Sequence, residues 1–263
     1  MKMKNIAHRG LNKQAPECTA PAFIMAKEAG YTHAENDMWF SKDGYPVMVH
    51  MRDVAVGSDG QGNVDELTLE ELKSFDYSYG YFRDMYPKYQ NTPMLTFEEW
   101  IALCKELDLG PYIDCKMFTT KSYLGEHGAK TCVDIVNKYD MMEKSTWIVG
   151  YSGANAIREY APNARLALIA SVAPEDDFYD TVQKYKVNDD PDSAILYIHH
   201  RSIDQSVADK CKAANINLEA WVVAQEDIPL LPEIAVRLFD LGVTGIANDG
   251  MDLEKALKDA GRI

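Results

Sequence analysis

The chain has 263 residues, of which 46% are hydrophobic and 26% are charged, a composition typical of a globular protein and unlike that of a disordered, collagen-like or coiled-coil chain. Its net charge of −14 argues against nucleic acid or an anionic membrane surface as the main partner. No apolar run reaches the roughly 18 residues of a spanning helix, so we expect no stable membrane insertion and a cytoplasmic location.

Short β-rich apolar runs alternate with amphipathic stretches along the chain. We predict strands at residues 5–8, 33–39, 111–117, 146–151, 165–170, 194–199, 217–223 and 243–247. Helical patterns lie between them, at residues 19–29, 96–107, 128–138, 154–160, 176–184, 203–214, 228–241 and 253–260. Consecutive βα units of this number, in about 250 residues, predict an α/β fold of the (β/α)8 TIM-barrel class.

One segment, residues 54–92, interrupts this alternation with Gly, Asp and Tyr and holds one short helical stretch at residues 67–75. We interpret it as a small insertion after the second-strand hairpin, inside a single domain that covers residues 1–263. Its aromatic residues suit either a cover over the barrel mouth or a simple hydrophobic plug, and they are Tyr77, Tyr79, Tyr81, Phe82, Tyr86 and Tyr89.

Polar residues stand at the ends of the first three predicted strands, where TIM barrels carry their catalytic groups. Glu35 and Asp37 share one face of the second strand, and Asp114 and Lys116 share one face of the third. Three carboxylates in one barrel mouth repel each other unless a cation lies between them. Ligation by oxygen alone predicts one divalent cation, Mg²⁺, Ca²⁺ or Mn²⁺, and not zinc.

A hairpin signal follows the second strand, because Asp43-Gly44 stands between two alternating runs. A two-residue loop pairs Lys42 with Tyr45 and places His50 directly across from Asp37. A longer loop shifts this register by one or two residues. With the shorter loop, His50 reaches the carboxylates.

The polar motifs occur in a defined order along the chain: H-R-G from residue 8, P-E-C-T from residue 16, E-N-D from residue 35, S-K-D-G-Y-P-V from residue 41, and His50. This order resembles that of the glycerophosphodiester phosphodiesterase family, whose members are (β/α)8 barrels. The resemblance extends through D-C-K at residue 114 and, more faintly, to Trp221 and the closing G-V-T-G-I-A-N-D at residues 242–249. It therefore covers nearly the whole chain.

The resemblance implies metal-dependent hydrolysis of a small glycerophosphodiester to glycerol 3-phosphate and an alcohol. It implies that His8 and His50 are the acid/base pair, that Arg9 and Lys116 hold the phosphate, and that the metal ligands are Glu35, Asp37 and Asp114. Glu17 would hold Arg9 in place, and Trp221 would wall the pocket against substrate carbon. The chemistry agrees, because a phosphodiester needs its charge neutralised and needs one base and one acid.

Three residues depart from the family pattern: Cys18 replaces an Asn, Asp114 a Glu, and Met51 an Asp. Asp114 is one methylene shorter than Glu, so a metal must lie closer to the strand or bind through water. Met51 removes a carboxylate near His50, which Asp53 could replace. Two other functions remain open: a phosphate-ligand-binding barrel that has lost turnover, and a phosphodiesterase of the lysophospholipase D type, which the net charge disfavours.

Three further residues have no role assigned by the motifs. Glu219 is on the same strand face as Trp221, so if that face points inward its carboxylate needs Lys116 or the metal as a partner. His199 and His200 end the sixth strand, where alternation directs one of them inward. If His50 were dispensable, His200 would be the first alternative proton carrier.

Overall fold

The computed structural model describes residues 3–79, 86–116, 123–222 and 232–263. Within these residues the strands are β1 (Lys4–His8), β2 (His33–Phe40), β3 (Pro46–Met48), β4 (Leu95–Thr96), β5 (Gly110–Cys115), β6 (Thr146–Val149), β7 (Arg165–Ala170), β8 (Ala194–His199), β9 (Asn217–Val222) and β10 (Gly245–Asn248). All strands except β3 and β4 pair in parallel, and β1 pairs with both β10 and β2, which closes the barrel. The predicted TIM barrel is confirmed.

The described helices, most of which connect successive strands of the barrel, are α1 (Ala20–Glu28), α2 (Leu69–Lys73), α3 (Phe97–Glu106), α4 (Tyr123–Lys138), α5 (Tyr151–Tyr160), α6 (Asp176–Lys184), α7 (Gln205–Ala213), α8 (Pro232–Asp240) and α9 (Leu253–Asp259). In the described residues no helix combines the length and the apolar character needed to cross a membrane. Predicted and observed bounds agree within a few residues for most elements.

Several predicted boundaries are wrong. Helix α4 begins at Tyr123 and not at Gly128. Strand β6 ends at Val149, and Tyr151 is the first residue of α5 because Gly150 is the N-cap. Residues 117 and 223, the predicted ends of two strands, and residues 228–231 of a predicted helix lie outside the described residues.

The barrel wall separates the hydrophobic core into a part inside the barrel and a part between the strands and the helices. Side chains of alternate strand residues fill the inside of the barrel, and the buried ones are Ile6, Tyr112, Ile148, Ala167, Ile195, Tyr197 and Ala247. A larger apolar cluster fills the space between the strands and the surrounding helices. Since strands of a parallel barrel are buried on both faces, they read as apolar runs, and polar residues at their ends stand out.

The hairpin after β2 has a three-residue loop, so the predicted two-residue loop is wrong. Ser41 N donates to Tyr45 O at 2.9 Å, and Gly44 has φ of 87°, which completes a wider turn with glycine in the left-handed region. Asp43 stabilises this turn by accepting from the Ser41 hydroxyl at 2.7 Å. As a result Val49, not His50, lies opposite Asp37, and its N–H donates to Asp37 O at 3.1 Å.

The segment after the hairpin packs as a small satellite core on β3 and contains α2. A capping box of Thr68 and Glu71 begins this helix. The buried residues of this core are Val47, Val49, Val54, Val64, Leu72, Tyr77 and Met94. Tyr86 donates its hydroxyl proton to Asn12 O at 2.8 Å, which connects the segment to the loop after β1. Tyr81 and Phe82 lie outside the described residues, and a cover over the mouth stays a prediction.

Candidate functional site

A cluster of three carboxylates lies at the carboxyl ends of two adjacent strands. Glu35 and Asp37 are each 2% exposed on β2, and Asp114 on β5 is in register with Asp37. One oxygen from each carboxylate lies within 4.8 Å of the other two. Ligands bound at roughly 2.0 to 2.6 Å on opposite sides of a cation lie about 4 to 5 Å apart. The spacing therefore fits a hard divalent cation.

Electrostatics within this cluster also favour a cation. Burial and then the neighbouring carboxylates raise the pKa of Glu35 well above its ordinary value. Burial raises the pKa of Asp114 to about 6, although Lys116 opposes the rise. Burial alone would raise the pKa of Asp37, but Lys116 and other cations outweigh it and lower that pKa to about 2. Among the described residues, the buried Asp37 Oδ2 atom has no hydrogen-bond partner, so the donor set fits a metal ion.

Lys116 lies at the open side of the cluster, directly after β5. Its Nζ is 2.8 Å from Asp37 Oδ1 and 2.5 Å from Asp114 Oδ2. The side chain is 30% exposed, which leaves the ammonium accessible from the barrel mouth. The structure thus brings Lys116 together with the three carboxylates.

His8 ends β1 and is held by a carboxylate that the sequence analysis missed. Asp249 Oδ1 is 2.7 Å from His8 Nδ1 and accepts a second bond from Asn12 Nδ2 at 2.6 Å. If Nδ1 carries the proton, Nε2 is the basic nitrogen, and it lies 4.0 Å from Glu35 Oε2. Burial and then Arg9 lower the pKa of His8 despite Asp249, so the ring stays neutral near pH 7.

The signal for Asp249 was its place in the sequence, as the first residue after the last strand. Catalytic residues of TIM barrels lie at that edge, so a carboxylate there is a candidate catalytic residue. The segment was already part of the family resemblance, but no role was assigned to it. Its partner His8 is 241 residues away, and barrel closure brings the two together.

Arg9 connects the two predicted catalytic histidines. Its Nε is 3.1 Å from His8 Nε2, and its Nη1 is 2.6 Å from His50 Nδ1. Nη1 also donates to Glu17 Oε2 at 2.5 Å, as predicted for Glu17. Arg9 has φ of 56°, and its N–H donates to Glu35 Oε2 at 3.1 Å. Such a left-handed conformation costs roughly 1 to 3 kcal/mol, and functional sites are where it is commonly retained.

His50 reaches the site from the chain beyond β3 and not through strand pairing. Its carbonyl accepts from Trp39 Nε1 at 3.3 Å, and its Nδ1 is 3.2 Å from Glu17 Oε1. Asp53, the predicted replacement carboxylate, instead accepts from Ala55 N at 3.0 Å at the start of a 3-10 turn. Glu17 is therefore the carboxylate beside His50.

The β8 and β9 ends form the opposite side of the mouth. Trp221 contacts His199, with ring centroids 4.4 Å apart, and the contacts described for it include neither Arg9 nor Lys116. His199 shares its strand face with the interior residue Tyr197. His200 begins a 3-10 turn and its carbonyl accepts from Arg237 Nη2 at 2.8 Å. His199, rather than His200, is thus on the face that points inward.

Glu219 faces inward but lies deeper than the mouth. Its Oε1 accepts from Lys4 Nζ at 2.9 Å and from the Tyr112 hydroxyl at 3.0 Å. The expectation that Lys116 or the metal would be its partner is wrong. Glu219 pairs in register with Gly245, the first residue of β10. Its carboxylate therefore lies toward the amino ends of the strands, away from Lys116 and the carboxylate cluster.

Comparison with known proteins gives a consistent result. Residues 8–253 match the model of the glycerophosphoryl diester phosphodiesterase family. A glycerophosphodiester phosphodiesterase of Caldanaerobacter subterraneus subsp. tengcongensis is 25% identical over 252 residues, which are 95% of each chain. Human glycerophosphodiester phosphodiesterase 1 is 33% identical over 112 residues, 42% of this chain and 33% of that protein.

A similar fold is found among solved structures. An Oleispira antarctica phosphodiesterase, in complex with the product sn-glycerol-3-phosphate, superposes with a TM-score of 0.82 at 23% identity. The match covers 97% of this chain and 96% of that one. A glycerophosphodiester phosphodiesterase from Agrobacterium tumefaciens has a TM-score of 0.73 at 18% identity, covering 96% and 98% of the two chains. These likenesses show a shared barrel fold.

Proposed function

The chain belongs to the glycerophosphoryl diester phosphodiesterase family, and from that premise we propose that it hydrolyses a glycerophosphodiester to glycerol 3-phosphate and an alcohol with one divalent cation. One observation carries the proposal: Arg9 contacts both His8 and His50 beside a buried carboxylate triad. A phosphodiester needs an acid, a base and positive charge in one place, and this cluster supplies all three.

The cation would be held by Glu35, Asp37 and Asp114, and oxygen ligation selects Mg²⁺, Ca²⁺ or Mn²⁺. When bound, it supplies positive charge that stabilises the developing charge on the phosphate oxygens. Lys116, already within 2.8 Å of Asp37 and at the open side of the triad, adds a further positive charge at the mouth. Arg9 contributes a planar guanidinium, which Glu17 orients.

His8 acts first as the base. Asp249 orients its ring through Nδ1, and the lowered pKa keeps Nε2 unprotonated at neutral pH. Nε2 takes the proton of a glycerol hydroxyl while that oxygen forms a bond to phosphorus. His50 gives a proton to the alcohol oxygen as its bond to phosphorus breaks. The product of this step is a cyclic phosphate, and the alcohol leaves.

Water then opens the cyclic phosphate with the two roles reversed. His50 takes a proton from the water as its oxygen bonds to phosphorus, and His8 returns a proton to the glycerol oxygen that leaves phosphorus. Entering and leaving oxygens of an in-line displacement lie on opposite sides, which requires two separate proton carriers. Trp221 would wall the pocket against substrate carbon.

The test is turnover of glycerophosphocholine, glycerophosphoethanolamine and bis(p-nitrophenyl) phosphate by the purified protein in Mg²⁺, Ca²⁺ or Mn²⁺. Release of glycerol 3-phosphate from either glycerol substrate, dependent on the cation, supports the proposal. Tight binding of glycerol 3-phosphate without turnover of any substrate would instead support a phosphate-binding barrel. Turnover of a lysophospholipid, assayed as a fourth substrate, without turnover of the other three would support a phosphodiesterase of the lysophospholipase D type.

A further inference from the structure

His199 has no role in the reaction described above, yet it lies on the interior face at the carboxyl end of β8. Residues Ile195 and Tyr197 of the same strand fill the inside of the barrel. Alternation of side chains puts His199 on that face, one step above Tyr197. It pairs in register with Trp221 of β9, and the two rings meet edge to face at 4.4 Å and 70°.

The hydrogen bonding of His199 leaves one nitrogen as a donor. Its Nδ1 accepts from Arg201 N–H at 3.3 Å, so the proton of the neutral ring is on Nε2. Burial and then Arg201 lower the pKa of His199, which keeps the ring neutral near pH 7. In the described part of the chain, the Nε2 atom has no protein partner. A neutral N–H donor is therefore left at the barrel mouth.

This side of the mouth differs in charge from the catalytic side. The last interior-facing residues described on β7, β8 and β9 are uncharged: Ile169, His199 and Trp221. Ile169 is 39% exposed, which adds apolar surface to this side of the mouth. The charged groups of the site, in contrast, come from β1, β2, β5 and β10 and the segments after them.

The uncharged side adjoins His8. Trp221 is in register with Ala247 on β10, two residues before Asp249, and Asp249 holds His8. The strand order β1-β10-β9-β8 therefore puts Trp221 and His199 on the side of the mouth next to His8. In the proposed reaction the group beside His8 is the glycerol, whose hydroxyl His8 deprotonates.

Beyond the wall expected of Trp221, we propose that His199 binds the glycerol moiety, its Nε2 donating to a glycerol hydroxyl beside the indole. This assignment rests on the proposed function and deepens it. An uncharged wall with a single donor suits a neutral polyol and offers nothing to a second phosphate. His199 would thus distinguish a glycerophosphodiester from a diester without hydroxyls.

The test compares two substrates in four proteins under the same cation: the wild type, His199→Leu, His199→Gln and the control His200→Gln. His199→Leu should lower kcat/KM for glycerophosphocholine about tenfold or more, because a bound hydroxyl loses its donor. Turnover of bis(p-nitrophenyl) phosphate, in which water and not a glycerol hydroxyl must attack phosphorus, should change less than about twofold, because that diester lacks glycerol. His199→Gln, which keeps an N–H donor, should retain most activity, and His200→Gln should match the wild type.

Equal losses on both substrates in His199→Leu would overturn the assignment, as would an unchanged kcat/KM for glycerophosphocholine. Calorimetric binding separates this result from failure of the proposed function. If the wild type turned over neither substrate, His199→Leu should still weaken binding of glycerol 3-phosphate while leaving inorganic phosphate unaffected. Equal effects of the substitution on both ligands would contradict the proposal.

Discussion

Asp249 Oδ1 lies 2.7 Å from His8 Nδ1, which joins the end of the last barrel strand to the end of the first. Asn12 donates to the same carboxylate oxygen at 2.6 Å, so the carboxylate is fixed from two sides. The pair gives His8 a defined ring orientation and a basic nitrogen directed toward the carboxylate triad.

Asp249→Asn should therefore lower kcat about tenfold to a hundredfold, less than the full contribution of a general base, because His8 remains but loses its orientation. The exposed Asp240, paired with Arg262, offers Asp240→Asn as a matched control with wild-type kcat. Steady-state kinetics on glycerophosphocholine would measure both. Wild-type kcat in Asp249→Asn would show that the pair is purely structural.

Each catalytic histidine should be indispensable. His8→Ala and His50→Ala should each lower kcat by about 10²-fold to 10⁴-fold, the usual contribution of one proton carrier. The wild-type kcat/KM profile should be bell-shaped with pH, and each variant should lose one limb. The exposed His127 supplies the control substitution. Near-full activity of His50→Ala would show that another group carries its proton.

Arg9→Lys should be far from neutral. Arg9 reaches Glu17, His8 and His50 at once, and a single ammonium cannot reproduce this planar arrangement. We expect kcat/KM for glycerophosphocholine to fall at least about a hundredfold, as a missing charge-assisted contact in the transition state implies. Unfolding by urea should report a folded variant, and kinetics within threefold of the wild type would contradict this role.

The carboxylate triad should destabilise the folded protein when no cation is bound. Asp114 has its folded pKa raised to about 6, above the value of roughly 3.9 for an unfolded Asp. The free-energy cost of ionising Asp114 in the folded state is absent below the unfolded pKa. It grows between the unfolded and the folded pKa and is complete above pH 6. Asp114→Asn should thus stabilise the protein by about 1 to 3 kcal/mol at pH 7.5 in a chelator.

Thermal unfolding of wild type and Asp114→Asn, with EDTA and with Mg²⁺, measures this difference in stability. The stability gained by the substitution should vanish near pH 4, and Mg²⁺ should stabilise the wild type but not the variant. Cation binding by the wild type should also release protons between pH 6 and 7, detectable by calorimetry in two buffers. A less stable Asp114→Asn in EDTA would show that the triad is not repulsive.

Low pH should destabilise the barrel through His33. Burial and then Lys4 lower its folded pKa to about 3, below the ordinary value of roughly 6.5 for an unfolded His. The unfolded chain binds a proton that the folded chain does not, so stability is lost as pH falls below 6.5, by about 1.4 kcal/mol per pH unit. Urea unfolding at pH 7 and pH 5.5 should show a smaller drop for His33→Gln than for wild type. Equal drops would mean that His33 titrates normally.

The barrel and the triad could be predicted from the sequence because both depend on short periods. Strands alternate every two residues, so Glu35 and Asp37 share a face whatever surrounds them, and the register beside β5 then brings in Asp114. The hairpin register could not be predicted, because Asp43-Gly44 fits a two-residue and a three-residue loop equally well. Only contacts such as Ser41 N to Tyr45 O distinguish them.

The remaining site contacts depend on long-range closure. Asp249 meets His8 because the last strand closes the barrel against the first, and Glu17 meets His50 because the loop after β1 lies beside the chain leaving β3. No local pattern marks either pair. Which of His199 and His200 faces the barrel interior could be decided only from the register of β8, which ends at His199.

Metal-dependent hydrolysis is tested by the release of glycerol 3-phosphate from glycerophosphocholine, using protein first stripped with EDTA and then titrated with Mg²⁺, Ca²⁺ or Mn²⁺. We expect no release in EDTA, recovery with at least one of these cations, and no recovery in Glu35→Ala, which lacks a ligand but keeps the fold. Release in EDTA at the rate seen with cation, or full activity of Glu35→Ala, would show that the carboxylate triad does not hold a catalytic cation.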